Sequence, residues 1–106
     1  MPPLHYDPAP NGYTTTKTYT FRWNNQHGTH GAVLAINWRL KIGTAQNGSD
    51  KYLGPAFPDP GTNSVSHTVT NALPADNNWY WATPEYQTQT NGPWYLGTST
   101  KFQSRP

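Results

Sequence analysis

Apolar and polar residues alternate along several short stretches of the chain, which is the pattern of β-strands with one buried face. The longest stretch runs from Val33 to Ile42, where large apolar side chains occupy every second position. A second alternation, from Thr18 to Trp23, places aromatic residues in one phase and threonine or arginine in the other. No stretch of ten residues shows helical periodicity. The pattern therefore predicts an all-β protein.

Shorter strands complete this prediction, and sequences rich in glycine, proline and asparagine separate them. Six or seven strands at this spacing predict one domain over residues 1–106, folded as a single antiparallel β-sandwich. The shorter strands are predicted within Pro3–Tyr6, Lys51–Leu53, Ser64–Thr70, Trp79–Thr83 and Tyr95–Phe102. The phases expected to face the core are Tyr19, Phe21 and Trp23; Leu34, Ile36, Trp38, Leu40 and Ile42; Val65, His67 and Val69; and Leu96, Thr98, Thr100 and Phe102.

Three large aromatic residues stand side by side at Trp79, Tyr80 and Trp81. Neighbouring side chains of a strand point to opposite faces, so the three rings cannot share one core. With the strand ending at Thr83, we expect Trp79 and Trp81 to face the core. Tyr80 is then the ring that points outward.

The composition narrows the class of protein. Charged residues make up 11% of the chain and aromatic residues 14%, and the aromatic content argues against a disordered chain. The seven lysines and arginines are scattered and the net charge is +2, so no nucleic-acid partner is expected. No apolar segment approaches the length of a membrane span, and the start lacks the features of a signal peptide. The polar, turn-rich composition is typical of an extracellular or virion surface.

Catalytic and metal-binding patterns are weak. Four of the five carboxylates lie in turn-like sequence, Glu85 is the exception, and no nucleophile motif is present, so no enzyme activity is expected. His27 and His30 give only two ligands where a zinc site needs three or four, and the chain has no cysteine. We therefore expect no metal site and no cofactor.

The aromatic residues exceed what one small core requires, which predicts a binding surface. Aromatic rings stack on the apolar faces of sugars, and amide side chains donate hydrogen bonds to hydroxyl groups. The alternative is that these rings cover the outer face of a sheet. The candidate ligand-binding residues are Tyr80, Tyr86, Gln87, Gln89, Asn91, Trp94 and Tyr95.

The order of five motifs resembles a fibronectin type III-like domain, an immunoglobulin-like module of bacterial secreted, cell-surface or phage virion proteins. The resemblance covers roughly Pro8 to Phe102 and implies a seven-stranded sandwich with a non-catalytic role. Counting from Leu73, Trp79 stands where such domains often place a buried tyrosine. The motifs are PAPNG, YTFRW, WRLKIGTAQNGSDKYLG, SHTVTNALPADNNWYW and NGPWYLGTSTKF.

Two functions remain open from the sequence. The first is an interaction module that binds a glycan or a surface protein through exposed aromatic residues. The second is a structural subunit, such as a phage decoration or appendage protein, whose aromatic surface is buried by self-association or against capsid or appendage subunits. An inert spacer domain, in which the aromatic residues only cover the sheet, is a further alternative to both.

Overall fold

The computed structural model describes residues 5–7, 11–15, 18–24, 35–61, 64–70 and 73–105. Within these ranges every regular element is a β-strand, so the all-β prediction is confirmed for the part of the chain described. The strands are β1 (His5–Asp7), β2 (Gly12–Thr14), β3 (Thr18–Asn24), β4 (Asn37–Gly43), β5 (Tyr52–Leu53), β6 (Phe57–Pro58), β7 (Ser64–Thr70), β8 (Trp79–Gln87), β9 (Tyr95–Leu96) and β10 (Thr100–Ser104).

The larger of two sheets has seven strands in the order β2-β10-β8-β4-β5. β6 pairs with the start of β4, and β9 pairs with the second half of β8. β4 and β8 pair antiparallel along their lengths, which makes them the centre of this sheet. β2 pairs parallel with β10, so the expectation of a purely antiparallel arrangement is wrong at this edge.

The smaller sheet has three antiparallel strands in the order β1-β3-β7. Its inner face contacts the larger sheet through rings: the centroids of Phe21 and Phe102 are 5.4 Å apart, and those of Trp23 and Trp38 are 5.8 Å apart. The two sheets therefore share one core. Its buried apolar members are Phe21, Trp23, Trp38, Leu40, Ile42, Val65, Val69, Tyr80, Ala82 and Phe102.

Three strands have the phase that alternation predicts. Phe21 and Trp23 are buried in β3, and Val65 and Val69 are buried in β7, with the half-buried His67 between them. In β4 the alternation Trp38, Leu40 and Ile42 is also buried. β4 begins at Asn37, Ile36 before it is exposed, and Leu34 lies outside the described residues.

The phase predicted for β8 is wrong. Tyr80 is 2% exposed, whereas Trp79 is 42% exposed and Trp81 is half-buried. The Tyr80 hydroxyl donates a hydrogen bond of 3.0 Å to Oδ2 of Asp76, four residues upstream. The buried aromatic residue is therefore Tyr80, one residue after Trp79. A shift of one residue exchanges the two faces of a strand, so the tryptophans point away from the core.

The last predicted strand divides into two. Thr100 and Phe102 are buried in β10 as predicted, but Leu96 belongs to β9 and is 45% exposed. Leu96 lies opposite Glu85 and Phe102 lies opposite Tyr80, so both short strands pair with the same edge of β8.

Candidate ligand-binding surface

The outer face of the larger sheet presents the side chains that alternate with the core. Tyr80 and Phe102 are register partners and both point inward, so Trp79, Trp81 and Lys101 point to the opposite face. Two different halves make up this outer face. We call the first the open half, and its side chains are Tyr13, Trp79, Trp81, Lys101, Gln103 and Arg105.

The open half crosses three strands. Gln103 is the register partner of Trp79 on one side and of Tyr13 on the other, which aligns the three residues in a row. With the usual spacing between neighbouring strands, the two aromatic residues of this row are about 10 Å apart along it. Trp81 follows Trp79 on the same face, opposite Lys101. The result is a platform of three aromatic side chains on two strands of the sheet, β2 and β8, with β10 between them.

Two cations lie against these rings. The Lys101 Nζ atom is 5.5 Å from the centroid of the Trp79 ring and 6.0 Å from that of Trp81. The Arg105 Cζ atom is 3.9 Å from the centroid of the Tyr13 ring. Cation–π attraction holds the long basic side chains along the platform without neutralising their charge. The open half therefore offers exposed ring area, with Tyr13 50% exposed, next to positively charged donors.

We call the second region the covered half, and its centre is an ion network. Nε of Arg39 is 2.8 Å from Oε1 of Glu85, and Nζ of Lys41 is 3.3 Å from Oε2 of the same carboxylate. The Glu85 side chain is only 8% exposed, so the two cations compensate a nearly buried negative charge. The side chains of the covered half are Asn37, Arg39, Lys41, Thr83, Glu85 and Gln87.

Residues 88–99 lie over this network and give the covered half its name. The Arg39 Cζ atom is 4.2 Å from the centroid of the Trp94 ring. Nε2 of Gln87 donates to the carbonyl oxygen of Gly92 over 2.8 Å, and the Thr83 hydroxyl donates to Oγ of Ser99 over 2.8 Å. The covered half is thus closed by contacts within the chain.

Some of the candidate residues predicted from the sequence contact other parts of the chain, and the others are exposed to solvent. Tyr80 is buried and bonded to Asp76, so the prediction that it points outward is wrong. Tyr86 packs between Trp38 and Tyr95, with centroid distances of 5.5 Å and 5.6 Å.

Among the other candidates, Gln87 is buried and Trp94 covers Arg39. Gln89, Asn91 and Tyr95 are exposed in or beside the turn that follows β8. The structure thus gathers Tyr86 to Tyr95 in one region, where the larger rings pack against the protein itself. That any of these residues contacts a ligand stays a prediction.

The sequence prediction missed the open half. Trp79 and Trp81 were assigned to the core, and Tyr13 lies in a strand of three residues, too short to show alternation. A usable signal was nevertheless present in β8. Glu85 and Gln87 share the phase of Trp79, and polar residues indicate the outer phase of a strand.

The corner before β8 is held by a carboxylate. The backbone N–H and the side-chain amide of Asn78 donate to Asp76 over 3.0 Å and 2.9 Å, in addition to the bond from Tyr80. These hydrogen bonds, the one from the Asn78 backbone above all, hold the pKa of Asp76 below its ordinary value. The carboxylate thereby links the hydroxyl of Tyr80 to the corner that precedes β8.

The predictions about metal and membrane involve partly undescribed residues. His27 and His30 lie outside the described residues. Among the residues described, no three histidine, aspartate or glutamate side chains group as metal ligands would. The same residues include no helix long and apolar enough to cross a membrane.

Comparisons of the chain with protein-family models, with curated proteins and with solved structures found no significant match.

Proposed function

We propose that the protein is a non-catalytic interaction module that binds a glycan through the open half. The observation that carries this proposal is the set of three rings on one sheet face, the exposed Tyr13 and Trp79 and the half-buried Trp81. Flat aromatic faces match the apolar faces of sugar rings, and rigid rings lose little conformational entropy on binding. Lys101 lies opposite Trp81 and supplies donors for sugar hydroxyl groups, whereas Gln103, between Trp79 and Tyr13, already donates from Nε2 to the carbonyl oxygen of Asn77 over 2.8 Å.

We also propose that the fold is a fibronectin type III-like β-sandwich at an extracellular or virion surface. The grouping of β1, β3 and β7 against β2, β10, β8, β4 and β5 supports it, since immunoglobulin-like sandwiches divide their strands in this way. Two residues add support: the buried Trp38 in β4, and Tyr80 near the start of β8, bonded back to the corner. Such a fold presents sheet faces and loops for recognition, and its function depends on the sites that these surfaces carry.

The experiment is co-sedimentation with insoluble polysaccharides and cell envelopes. Trp79→Ala and Trp81→Ala should weaken retention at least about tenfold, because stacked aromatic anchors dominate such contacts. Tyr95→Ala is the matched control, since Tyr95 is as exposed as Trp79 but lies outside the open half. Equal loss with Tyr95→Ala, or no retention on any material, would contradict the proposal.

A structural subunit is the second candidate, and exposed leucines favour it. Leu53 is 56% exposed and Leu96 is 45% exposed, and their register partners Lys41 and Glu85 belong to the outer face. Neighbouring subunits could bury these side chains together with the short edge strand β5. Light scattering distinguishes the candidates: a mass well above that of the 11.9 kDa monomer that falls on Leu53→Lys would favour assembly.

A further inference from the structure

We infer that the ligand of the open half is an acidic polysaccharide, a chain of sugars that carry carboxylate or sulfate groups. This inference rests on the proposed function and specifies the class of glycan. Three observations carry it: the charge balance of the two halves, the hydrogen-bonding state of the arginine, and the spacing of the two cationic residues along the strand.

The two halves differ in charge balance. In the covered half Arg39 and Lys41 share the carboxylate of Glu85. In the open half Lys101 and Arg105 have no carboxylate partner among the residues that the structure describes. Aromatic rings attract these cations but leave their charge in place. The open half is therefore positively charged and complementary to an anion.

The nearest acidic side chain of the corner is already engaged. Asp76 accepts hydrogen bonds from Asn78 and Tyr80, and Tyr80 belongs to the core side of β8. Asp50 is likewise held, by the backbone and hydroxyl of Thr44 over 2.9 Å. Neither carboxylate forms an ion pair with Lys101 or Arg105 among the described residues.

Arg105 is oriented for an anion. Its Nε donates to Oε1 of Gln103 over 2.7 Å, which fixes the guanidinium plane over the Tyr13 ring. The terminal N–H groups of the guanidinium remain as a fork, and this fork suits the paired oxygens of a carboxylate or sulfate. Arg105 thus combines a stacked, ordered plane with available donors.

The spacing of the two residues along the strand suits a polymer. The backbone positions of Lys101 and Arg105 are four residues apart along an extended stretch, or about 13 Å. Successive sugars of a chain carry repeated charges that can reach both side chains. The aromatic residues stand between and beside these points, where the sugar rings would stack.

Single-stranded nucleic acid also combines stacking with negative charge, but the surface fits it less well. Nucleic-acid binding proteins track the phosphate backbone with a continuous positive groove. The open half has two cations, and the whole chain has a net charge of only +2. The nucleic acid therefore enters the test as a competing ligand.

The test measures affinity for matched pairs of polymers in gel electrophoresis. Polygalacturonate is compared with its carboxyl-reduced form, and dextran sulfate with dextran, which separates carboxylate from sulfate. We expect at least one acidic polymer to bind about tenfold tighter than its neutral counterpart at about 0.05 M salt. The difference should disappear at about 0.5 M salt, because exposed charges are screened there.

Variants assign the effect to the open half. Lys101→Gln with Arg105→Gln should remove the preference for the acidic polymer, while the residual affinity should match that for the neutral one. Arg22→Gln is the control, because it removes one exposed positive charge from the opposite sheet. The preference should survive in this variant.

The outcomes separate this inference from the proposed function. Equal binding of acidic and neutral polymers, lost on Trp79→Ala, would overturn the inference and leave the glycan-binding proposal standing. Binding of neither polymer class would overturn both. An equal loss with Arg22→Gln, or tighter binding of a single-stranded oligonucleotide than of any polysaccharide, would also overturn the inference.

Discussion

In the covered half of the larger sheet Trp94 lies over Arg39, whereas in the open half Trp79 lies beside Lys101 and is 42% exposed. Both regions thus pair a tryptophan with a cation on the same face of the same sheet. They differ in what surrounds the pair. Arg39 also binds Glu85 and lies under residues 88–99, and Lys101 has neither a described carboxylate partner nor a covering segment.

This difference indicates how aromatic residues that stabilise the fold can be distinguished from those that a ligand can contact. A nearly buried carboxylate must be compensated, so the cations around Glu85 are held in place by the fold. The rings of the open half are not part of a network that compensates a buried charge, and their exposed area contributes nothing to the core. A cation–aromatic pair is therefore a candidate ligand-binding site when neither a third charged group nor a covering segment contacts it.

The largest expected effect comes from the carboxylate of the covered half. Glu85→Gln keeps the size of the side chain but leaves Arg39 and Lys41 without their anion, which should cost about 3 kcal/mol of unfolding free energy. Lys101→Gln should cost less than about 0.5 kcal/mol, because it is an exposed surface change. Urea unfolding of both variants gives the comparison. Similar costs for both would mean that the two halves do not differ in structural role.

The two tryptophans should show opposite behaviour in stability and binding. Trp94→Ala removes the ring over Arg39 and should destabilise the protein by about 1–2 kcal/mol, since that ring is only half-buried. Trp79→Ala should cost less than about 1 kcal/mol and weaken polysaccharide retention. Each variant is measured by urea unfolding and by co-sedimentation. Retention lost with Trp94→Ala but kept with Trp79→Ala would exchange the roles of the two halves.

The sequence predicted the core phases of β3, β4 and β7 because each strand segregates its large apolar residues on one side. In β3, Phe21 and Trp23 alternate with threonine and arginine, which point to the opposite face. In β4, Trp38 and Leu40 alternate with Arg39 in the same way. Burying a charged side chain is costly, so in such strands only one of the two faces can point to the core. The choice of strands and their inner faces could therefore be derived without a structure.

In β8 both phases begin with aromatic residues, so the first five positions are ambiguous. The phase is decided by the continuation to Gln87, where Ala82 and Pro84 follow Tyr80 and the polar Glu85 follows Trp79. Ending the predicted strand at Thr83 left out that information. The rest of the site could not be derived, because the parallel pairing of Tyr13 with β10 joins residues far apart in sequence.

The corner tyrosine offers a direct test of that phase. Tyr80→Phe removes the hydrogen bond to Asp76 while keeping the ring in the core, and it should cost about 1 kcal/mol. Asp76→Asn leaves one acceptor oxygen for the three donors that bond to the carboxylate, so it should also destabilise the corner. Urea unfolding measures both changes. If Tyr80→Phe were neutral, the hydroxyl would not hold the corner, and packing alone would set which tryptophans face outward.

The smallest expected effect on stability concerns the half-buried His67. This effect distinguishes the pH dependence of stability from the charge of the outer face. Burial lowers the pKa of His67 below its ordinary value of 6.5. Its Nε2 atom is 2.7 Å from the Tyr52 hydroxyl, and its ring stacks on Phe57 with centroids 5.2 Å apart. The folded protein therefore favours the neutral ring. Its contribution to stability is present above about pH 6.5 and is lost as the pH falls through the folded-state pKa.

His67→Gln keeps a polar partner for Tyr52 but does not titrate, so the variant should lose less stability than the native chain between pH 7 and pH 5. Urea unfolding at both values measures the difference. The carboxyl groups of Asp50 and Asp76 have lowered pKa values and stay ionised over this interval, so they do not contribute to it. Polysaccharide affinity per folded molecule should then stay constant while stability falls. If the polysaccharide affinity of His67→Gln also fell between pH 7 and pH 5, the open half would respond to a different titrating group.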